Sequence, residues 1–168
     1  MGTLEDDLRE VVTRAAAALR DMAPEEAARP SAPGKWSTKE VVGHLVDSAW
    51  TNQQRFVRAC IQDDLCFATY PQDTYVALQR YQEAAWDELV SLWELLNRNM
   101  ARVVAELPVE ARRRERARHD LDRIAWELVP KDEPVSLEYF LRDYLNHLQF
   151  HLHDVDPELA PPPRLQRR

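Results

Sequence analysis

The sequence is poor in glycine and cysteine. Only three of its 168 residues are glycine, and β-branched residues never alternate over a useful length, which argues against a β fold. Ala, Leu, Glu and Arg, which favour helices, dominate instead. The two cysteines, Cys60 and Cys66, are too few for a disulfide framework, and their spacing matches no common zinc motif. We therefore expect an all-α protein with reduced thiols.

Long apolar runs are absent as well. No stretch reaches the length of about eighteen apolar residues that a membrane-spanning helix needs, and the acidic N-terminus has no apolar signal segment. The formal net charge of -7 and the pI near 5.3 disfavour a nucleic-acid partner. One basic run, 112–118, lacks aromatic residues that could stack on bases, and we interpret it as solvated surface. We expect a cytoplasmic protein with neither a nucleic-acid nor a membrane partner.

The chain length suits one domain with a single hydrophobic core. We predict that this domain spans residues 1–156. Residues 157–168 include three consecutive prolines and two terminal arginines, and they predict a flexible tail.

Four amphipathic helices are predicted, each with an apolar stripe at the helical period. They cover residues 3–22, 37–62, 73–107 and 136–155, with a proline-rich loop over 23–35. The first, second and last begin at Thr or Ser residues that can cap a helix. The third has Leu78 in its stripe and a predicted bend near Ala84 and Ala85, whereas residues 109–134 indicate only a short helix and a loop. The core is expected to include Trp50, Trp86 and Trp93. Such helices joined by loops are typical of a bundle.

Two histidines of the last predicted helix share one face. In DYLNHLQFHLHDV, His147 and His151 are four residues apart, so their imidazoles lie one helical turn apart. Helical projection aligns them with Phe140 and Tyr144, at the edge of the apolar stripe. His153 falls roughly 200° from His151 and is excluded from the pair. The pair is therefore expected to face the bundle, near its mouth.

The second predicted helix carries a polar stripe beside its apolar arc. The stripe consists of His44, Ser48, Thr51 and Arg55, and it indicates a lined pocket. Arg55 could hold a carboxylate of a substrate or of a thiol cofactor, or it could have a structural role.

Carboxylates lie close to these histidines in the sequence. Asp143 and Asp154 flank the pair on the last helix and could accept a ring N–H, or they could be solvated. Asp47 could orient His44, contact a substrate or form a surface salt bridge. We expect His119, in the basic segment, to be exposed.

The segments KWSTKEVVGHLVDSAWTNQQRF and DYLNHLQFHL resemble the DinB-like superfamily of metal-dependent four-helix bundles. The resemblance covers roughly Thr3 to Val155. It implies an all-α, up-down-down-up-type four-helix bundle with an extra short helix or loop before the last helix, and a homodimer. It also implies that His44, His147 and His151 bind one divalent metal ion. An HxxxH pair alone also occurs in ordinary core or surface positions. Residues that could orient these histidines or contact a substrate are Asp47, Ser48, Thr51, Arg55, Asp143 and Tyr144.

Three imidazole ligands would leave part of a zinc-like ion open, as in catalytic sites. Several members of the family it resembles are thiol transferases that use bacillithiol, mycothiol or glutathione, which implies thiol transfer to a small electrophile. The alternatives are a hydrolase, in which the ion lowers the pKa of a bound water, and a non-catalytic stress-response binding module. Zinc is the expected metal and nickel the next, although imidazole also accepts copper, cobalt and iron.

Overall fold

The structure, a computed structural model, describes residues 2–164 and consists mainly of α-helices. The four long helices are α1 (Leu4–Asp21), α3 (Thr38–Ala59), α5 (Trp86–Glu106) and α8 (Leu137–Val155). The shorter elements are α2 (Pro24–Ala27), α4 (Gln72–Gln79), a 3₁₀ turn (Tyr81–Glu83), α6 (Val109–Arg113), β1 (Glu115–Arg116), α7 (Leu121–Ile124) and β2 (Val135–Ser136). The strands β1 and β2 pair antiparallel. The predicted all-α bundle with short elements before its last helix is confirmed.

The predicted helix starts are confirmed in atomic detail. Thr3 caps α1, since its hydroxyl accepts from the backbone N–H of Asp6 at 3.3 Å and donates to the Asp6 carboxylate at 2.8 Å. Ser37 and Glu40 form the reciprocal capping box of α3. The Ser136 side chain caps α8. These contacts satisfy backbone donors that the first turn of a helix leaves free.

The long helices surround the core in an order that differs from their order along the chain. α1 and α3 each pack against both α5 and α8. Helices α1 and α3 therefore occupy diagonal corners, and two connections, 22–37 and 107–136, run between diagonal helices. Trp86 and Trp93 are buried as predicted, but Trp50 is 64% exposed, so its predicted core position is wrong.

The prediction of one helix over 73–107 is wrong in its first part. Helix α4 ends at Gln79, and Arg80 adopts a left-handed conformation with φ 52°. A 3₁₀ turn follows, and residues 84–85 are extended at the predicted bend. Leu78, assigned to the buried stripe, is 76% exposed because α4 does not continue the line of α5. The proline-rich loop likewise contains the short helix α2.

Tertiary contacts explain this break. The Tyr81 ring lies directly against Gly43 of α3, and a Cβ at that glycine would be 2.1 Å from a ring carbon. The Tyr81 hydroxyl donates to the Asp47 carboxylate at 2.9 Å. On the other side, the Trp86 indole N–H donates to the Leu19 carbonyl at 2.9 Å. These contacts favour the bent path over a continuous helix.

The basic run 112–118 is not wholly solvated. Arg116 is buried, and its guanidinium donates to the Ala59 carbonyl at 2.8 Å. His119 is also buried, with its Nε2 2.9 Å from the Glu133 carbonyl oxygen, so the expected exposure of His119 is wrong. Both side chains satisfy backbone carbonyls, which would otherwise lack partners.

The predicted flexible tail, 157–168, is packed against α8 as far as residue 164. Leu159 and Ala160 are buried. The Asn146 amide donates to the carbonyl of Arg164 at 2.9 Å. Residues 165–168 lie outside the described residues. Across 2–164, no helix combines the length and apolarity needed to cross a membrane.

Candidate metal centre

Three histidines from adjacent helices converge at one point of the bundle. His44 lies on α3, and His147 and His151 lie one turn apart on α8. One ring nitrogen from each residue lies within 4.8 Å of the other two. The Nε2 atoms of His44 and His147 are 3.2 Å apart. The structure thus brings together the three residues that the sequence singles out.

Burial favours the neutral form of all three imidazoles. Desolvation, followed by the charge of His151, lowers the pKa of His44 to about 4. Desolvation also lowers the pKa of His147 and that of His151. A neutral imidazole has an unprotonated nitrogen whose lone pair can bind a metal ion.

The donor set and its spacing fit a divalent metal ion. Zinc–nitrogen bonds of about 2.0–2.1 Å in a tetrahedral site place two ligand nitrogens about 3.3–3.4 Å apart. The observed separation between His44 and His147 is 3.2 Å. This distance also suits an N–H···N hydrogen bond between two rings, but the third ring, His151, converges on the same point. Three imidazoles in this arrangement can hold one ion.

The second ring nitrogen of His147 faces a polar contact. Its Nδ1 lies 3.5 Å from the Ser48 hydroxyl oxygen, at the outer limit of a hydrogen bond. Ser48 also accepts from the Asn52 amide at 3.3 Å and is hydrogen-bonded to the Tyr70 side chain. This chain of contacts favours the His147 tautomer whose Nε2 is free toward His44.

His44 is positioned by packing. Its Nδ1 is buried and has no hydrogen-bond partner among residues 2–164. Its ring packs against Trp36, with ring centroids 5.2 Å apart. The Oδ1 atom of Asp47 accepts from Gln79 and Tyr81, and no hydrogen bond joins the Asp47 carboxylate to the His44 ring. Burial raises the pKa of the Asp47 carboxyl.

The carboxylates of α8 do not contact the histidine rings in the predicted way. Asp143 accepts from the backbone N–H groups of Trp126 and Glu127, at 2.9 and 2.7 Å. It therefore holds the connection before α8. Asp154 is exposed, and its charge raises the pKa of His151 against the larger effect of burial.

A cavity of about 320 Å³ opens beside His44 and His147. Of the predicted contact residues, Ser48, Arg55, Asp143 and Tyr144 line it, whereas Asp47 and Thr51 do not. The Tyr144 hydroxyl donates to the Asn97 side chain at 2.5 Å, which fixes this ring within the core. The cavity gives a small molecule access to the histidines.

Sequence reasoning missed several residues of this cavity. Tyr70, Arg123 and Trp126 line it from the connections before α4 and before α8. These connections have no helical period, so no pattern in the sequence indicated which of their side chains point inward. Asn52 of α3 also lines the cavity.

The Asp143 carboxyl is expected to make folding stability depend on pH. Burial raises its pKa from 3.8 to about 6, so the folded state favours the protonated form. Stability is therefore lost as the pH rises from about 4 to about 6. Asp143→Asn cannot ionise, so the stability of the wild type relative to this variant should fall by about 1–3 kcal/mol as the pH rises from about 4 to about 7.

Urea unfolding with a chelator present, at both pH values, measures this difference without a contribution from metal. The matched control is Asp154→Asn, which changes the same group at an exposed position of α8. Parallel pH profiles for Asp143→Asn and the wild type would contradict the prediction.

Comparison with known proteins agrees with this architecture. The sequence model of the DinB superfamily matches residues 7–155. YfiT from Bacillus subtilis, described as a probable metal-dependent hydrolase with an unusual four-helix bundle topology, superposes with a TM-score of 0.69 at 19% identity, covering 92% of this chain and 85% of YfiT. A mycothiol-dependent maleylpyruvate isomerase superposes with a TM-score of 0.67 at 15% identity, covering 96% of this chain.

The chain spans only 62% of the isomerase. At these identities the two solved structures support the fold alone. Comparison with curated protein sequences gave no match. The family match extends over nearly the whole bundle, from within α1 to the end of α8. The chain therefore belongs to the DinB superfamily.

Proposed function

We propose that this protein is a metal-dependent enzyme that transfers a small thiol to an electrophilic substrate. The observation that carries this proposal is the convergence of His44, His147 and His151 beside an open cavity. Three neutral ligands leave the charge of a divalent ion uncompensated and part of its shell free, which is typical of catalytic rather than structural sites. Zinc is the metal we propose, with nickel next.

A bound divalent cation supplies positive charge that favours a thiolate over a thiol at neutral pH. The chain itself holds the reactants. His44 and His147 form the cavity wall at its metal end, and the Ser48 hydroxyl lies beside His147. The thiol gives its proton to solvent, its sulfur forms the new carbon–sulfur bond, and the leaving group departs with the electron pair of the broken bond.

The cavity favours thiol transfer over hydrolysis. Asp143 is the single carboxylate among the described residues that line it, and two backbone N–H groups occupy this carboxylate. The tyrosine hydroxyls are poor bases or acids at neutral pH, since burial raises the pKa of Tyr70 to about 12 and also that of Tyr144. A thiol is a far stronger acid than water, so a bound cation ionises it more completely at neutral pH, and thiol transfer depends less than hydrolysis on a neighbouring base.

Hydrolysis is the second candidate. YfiT, similar in fold, is described as a probable metal-dependent hydrolase, whereas the isomerase is described as mycothiol-dependent. The two reactions differ in what they consume, because transfer requires an added thiol and hydrolysis requires only water. A cytoplasmic location and a homodimer remain predictions from the sequence.

A thiol-dependence assay tests the proposal. Zinc-loaded protein is mixed with a panel of electrophiles and with bacillithiol, mycothiol or glutathione, and loss of free thiol is measured. We expect at least one pair to react about tenfold or more above the rate without protein, and chelator-treated protein to lose this excess.

Product release without thiol would instead support the hydrolase. Ligand-dependent stabilisation without any turnover would support a binding module. Either result would overturn the proposed thiol transfer.

A further inference from the structure

The cavity contains a buried cation without a counter-ion. Arg55, on α3, is 6% exposed and lines the cavity beside the metal centre. Its guanidinium donates to the Asn52 side-chain oxygen at 3.2 Å and to the Ala68 carbonyl at 2.6 Å. Both acceptors are neutral, and a guanidinium has five N–H donors. Donors therefore remain for a further partner.

No carboxylate within residues 2–164 forms an ion pair with Arg55. Asp143, the acidic group in the same cavity, instead accepts from backbone N–H groups of the connection that precedes α8. Arg123, the other guanidinium of the cavity, is exposed and paired with Asp120 at 2.7 Å. Buried charges are normally paired, because removing an ion from water is costly. Arg55 thus lacks the anion that its surroundings would ordinarily supply.

The structure assigns Arg55 as the anchor for a carboxylate group of the molecule that enters this cavity. The inference rests on the proposed function, since it concerns the reactants of the same site, and it narrows them to compounds with a carboxylate. A carboxylate matches the planar fork of a guanidinium and can accept two parallel hydrogen bonds. Arg55 would hold the end of the bound molecule that carries the carboxylate, while the reacting end faces the histidines.

A monoanion suits this cavity better than a phosphate dianion. In the metal-free protein used for the binding test, Arg55 is, among the described residues, the one buried positive charge of this cavity without an ion pair, and the Asp143 carboxylate in the same cavity adds negative potential. A dianion would leave excess negative charge in a site of low dielectric. Nearby hydrogen-bonding side chains, such as Tyr70, can satisfy the remaining lone pairs.

Binding to chelator-treated protein tests the inference independently of metal and turnover. Isothermal titration calorimetry compares benzoate with benzamide, which has the same shape without the charge, and with inorganic phosphate. We expect the wild type to prefer benzoate about tenfold or more. Arg55→Gln should remove this preference while benzamide binds as before. Arg58→Gln, an exposed change of the same charge on α3, should leave it intact.

The source of the carboxylate is distinguished by a second pair of probes, S-methylglutathione and its diethyl ester. Preference for the free acid would place the carboxylate on the thiol, and preference in the benzoate pair alone would place it on the electrophile. Both results support the inference.

Equal affinity of the wild type for benzoate and benzamide would overturn the inference. Tighter binding of phosphate than of benzoate would also overturn it. An equal loss of affinity for benzoate and benzamide in Arg55→Gln would do the same, because it would indicate a structural role for Arg55. If that variant does not fold, Arg55→Lys replaces it. Because lysine keeps the charge but has no planar fork for two parallel hydrogen bonds, the preference for benzoate should weaken, and an unchanged preference would contradict the assignment. If the thiol assay fails but the wild type still prefers benzoate to benzamide, the proposed reaction is wrong and the carboxylate site at Arg55 stands.

Discussion

His147→Ala is expected to lower zinc affinity by at least about 100-fold and to abolish metal-dependent turnover. His147 contacts both of the other rings, since its Nε2 lies 3.2 Å from that of His44 and its ring centroid is 4.6 Å from that of His151. Without it, two imidazoles must hold the ion alone. Losing a direct ligand should exceed the 10- to 100-fold effect typical of losing a supporting contact.

Elemental analysis after chelation, reloading and dialysis measures the change as zinc per chain. The matched control is His153→Ala, which removes the same residue type from the same helix. The His153 ring contacts the Ala160 carbonyl at 3.0 Å and is not part of the metal centre. His153→Ala should keep its zinc. Equal zinc content in His147→Ala and the wild type would exclude this centre as the binding site.

Metal binding also predicts a stability difference between the two variants. A ligand that binds only the folded state stabilises it in proportion to the logarithm of its concentration over the dissociation constant. At a zinc concentration between the two dissociation constants, zinc should therefore raise the melting temperature of His153→Ala and leave that of His147→Ala nearly unchanged. This readout needs no knowledge of the substrate.

The sequence could predict those parts of the fold that depend on local periodicity. Helix α8 follows from its apolar stripe and its Ser136 cap, and both are present. The four-residue spacing of His147 and His151 places both rings on one face whatever surrounds the helix. These rules and the family resemblance together are enough to predict which three histidines converge.

Contacts between distant segments could not be predicted in this way. The break at Arg80 follows from the packing of Tyr81 against another helix, and helix propensity does not contain this information. His119 is polar and lies in a charged run, yet it is buried because a loop carbonyl needs a donor. Asp143 binds backbone N–H groups 16 and 17 residues away in the chain. Only the folded backbone shows such partners.

Gly43→Ala is expected to destabilise the protein by about 2–4 kcal/mol, although alanine is the better helix former by about 1 kcal/mol. A Cβ at this position would lie 2.1 Å from two carbons of the Tyr81 ring. Atoms cannot approach so closely, so the ring must move away from α3. Its movement breaks the hydrogen bond to Asp47 and displaces the turn before α5.

Chemical denaturation in the presence of a chelator measures the loss. Gly34→Ala is the control, because that glycine has φ +77° and no atom within 4 Å of a new Cβ. It should lose only about 1 kcal/mol from backbone strain. A Gly43→Ala variant as stable as the wild type would contradict the close packing of Tyr81.

A double-mutant cycle with Tyr81→Ala separates the clash from other effects of the new methyl group. Tyr81→Ala alone removes a buried ring and should itself be destabilising. With the ring absent, Gly43→Ala meets no obstacle, and the helix propensity of alanine should make it neutral or stabilising. The sign of the effect of Gly43→Ala should therefore reverse between the two backgrounds. Such a reversal would show that position 43, next to His44, requires glycine because the Tyr81 ring occupies the space of a side chain. It would not support a need for flexibility in the metal-binding helix.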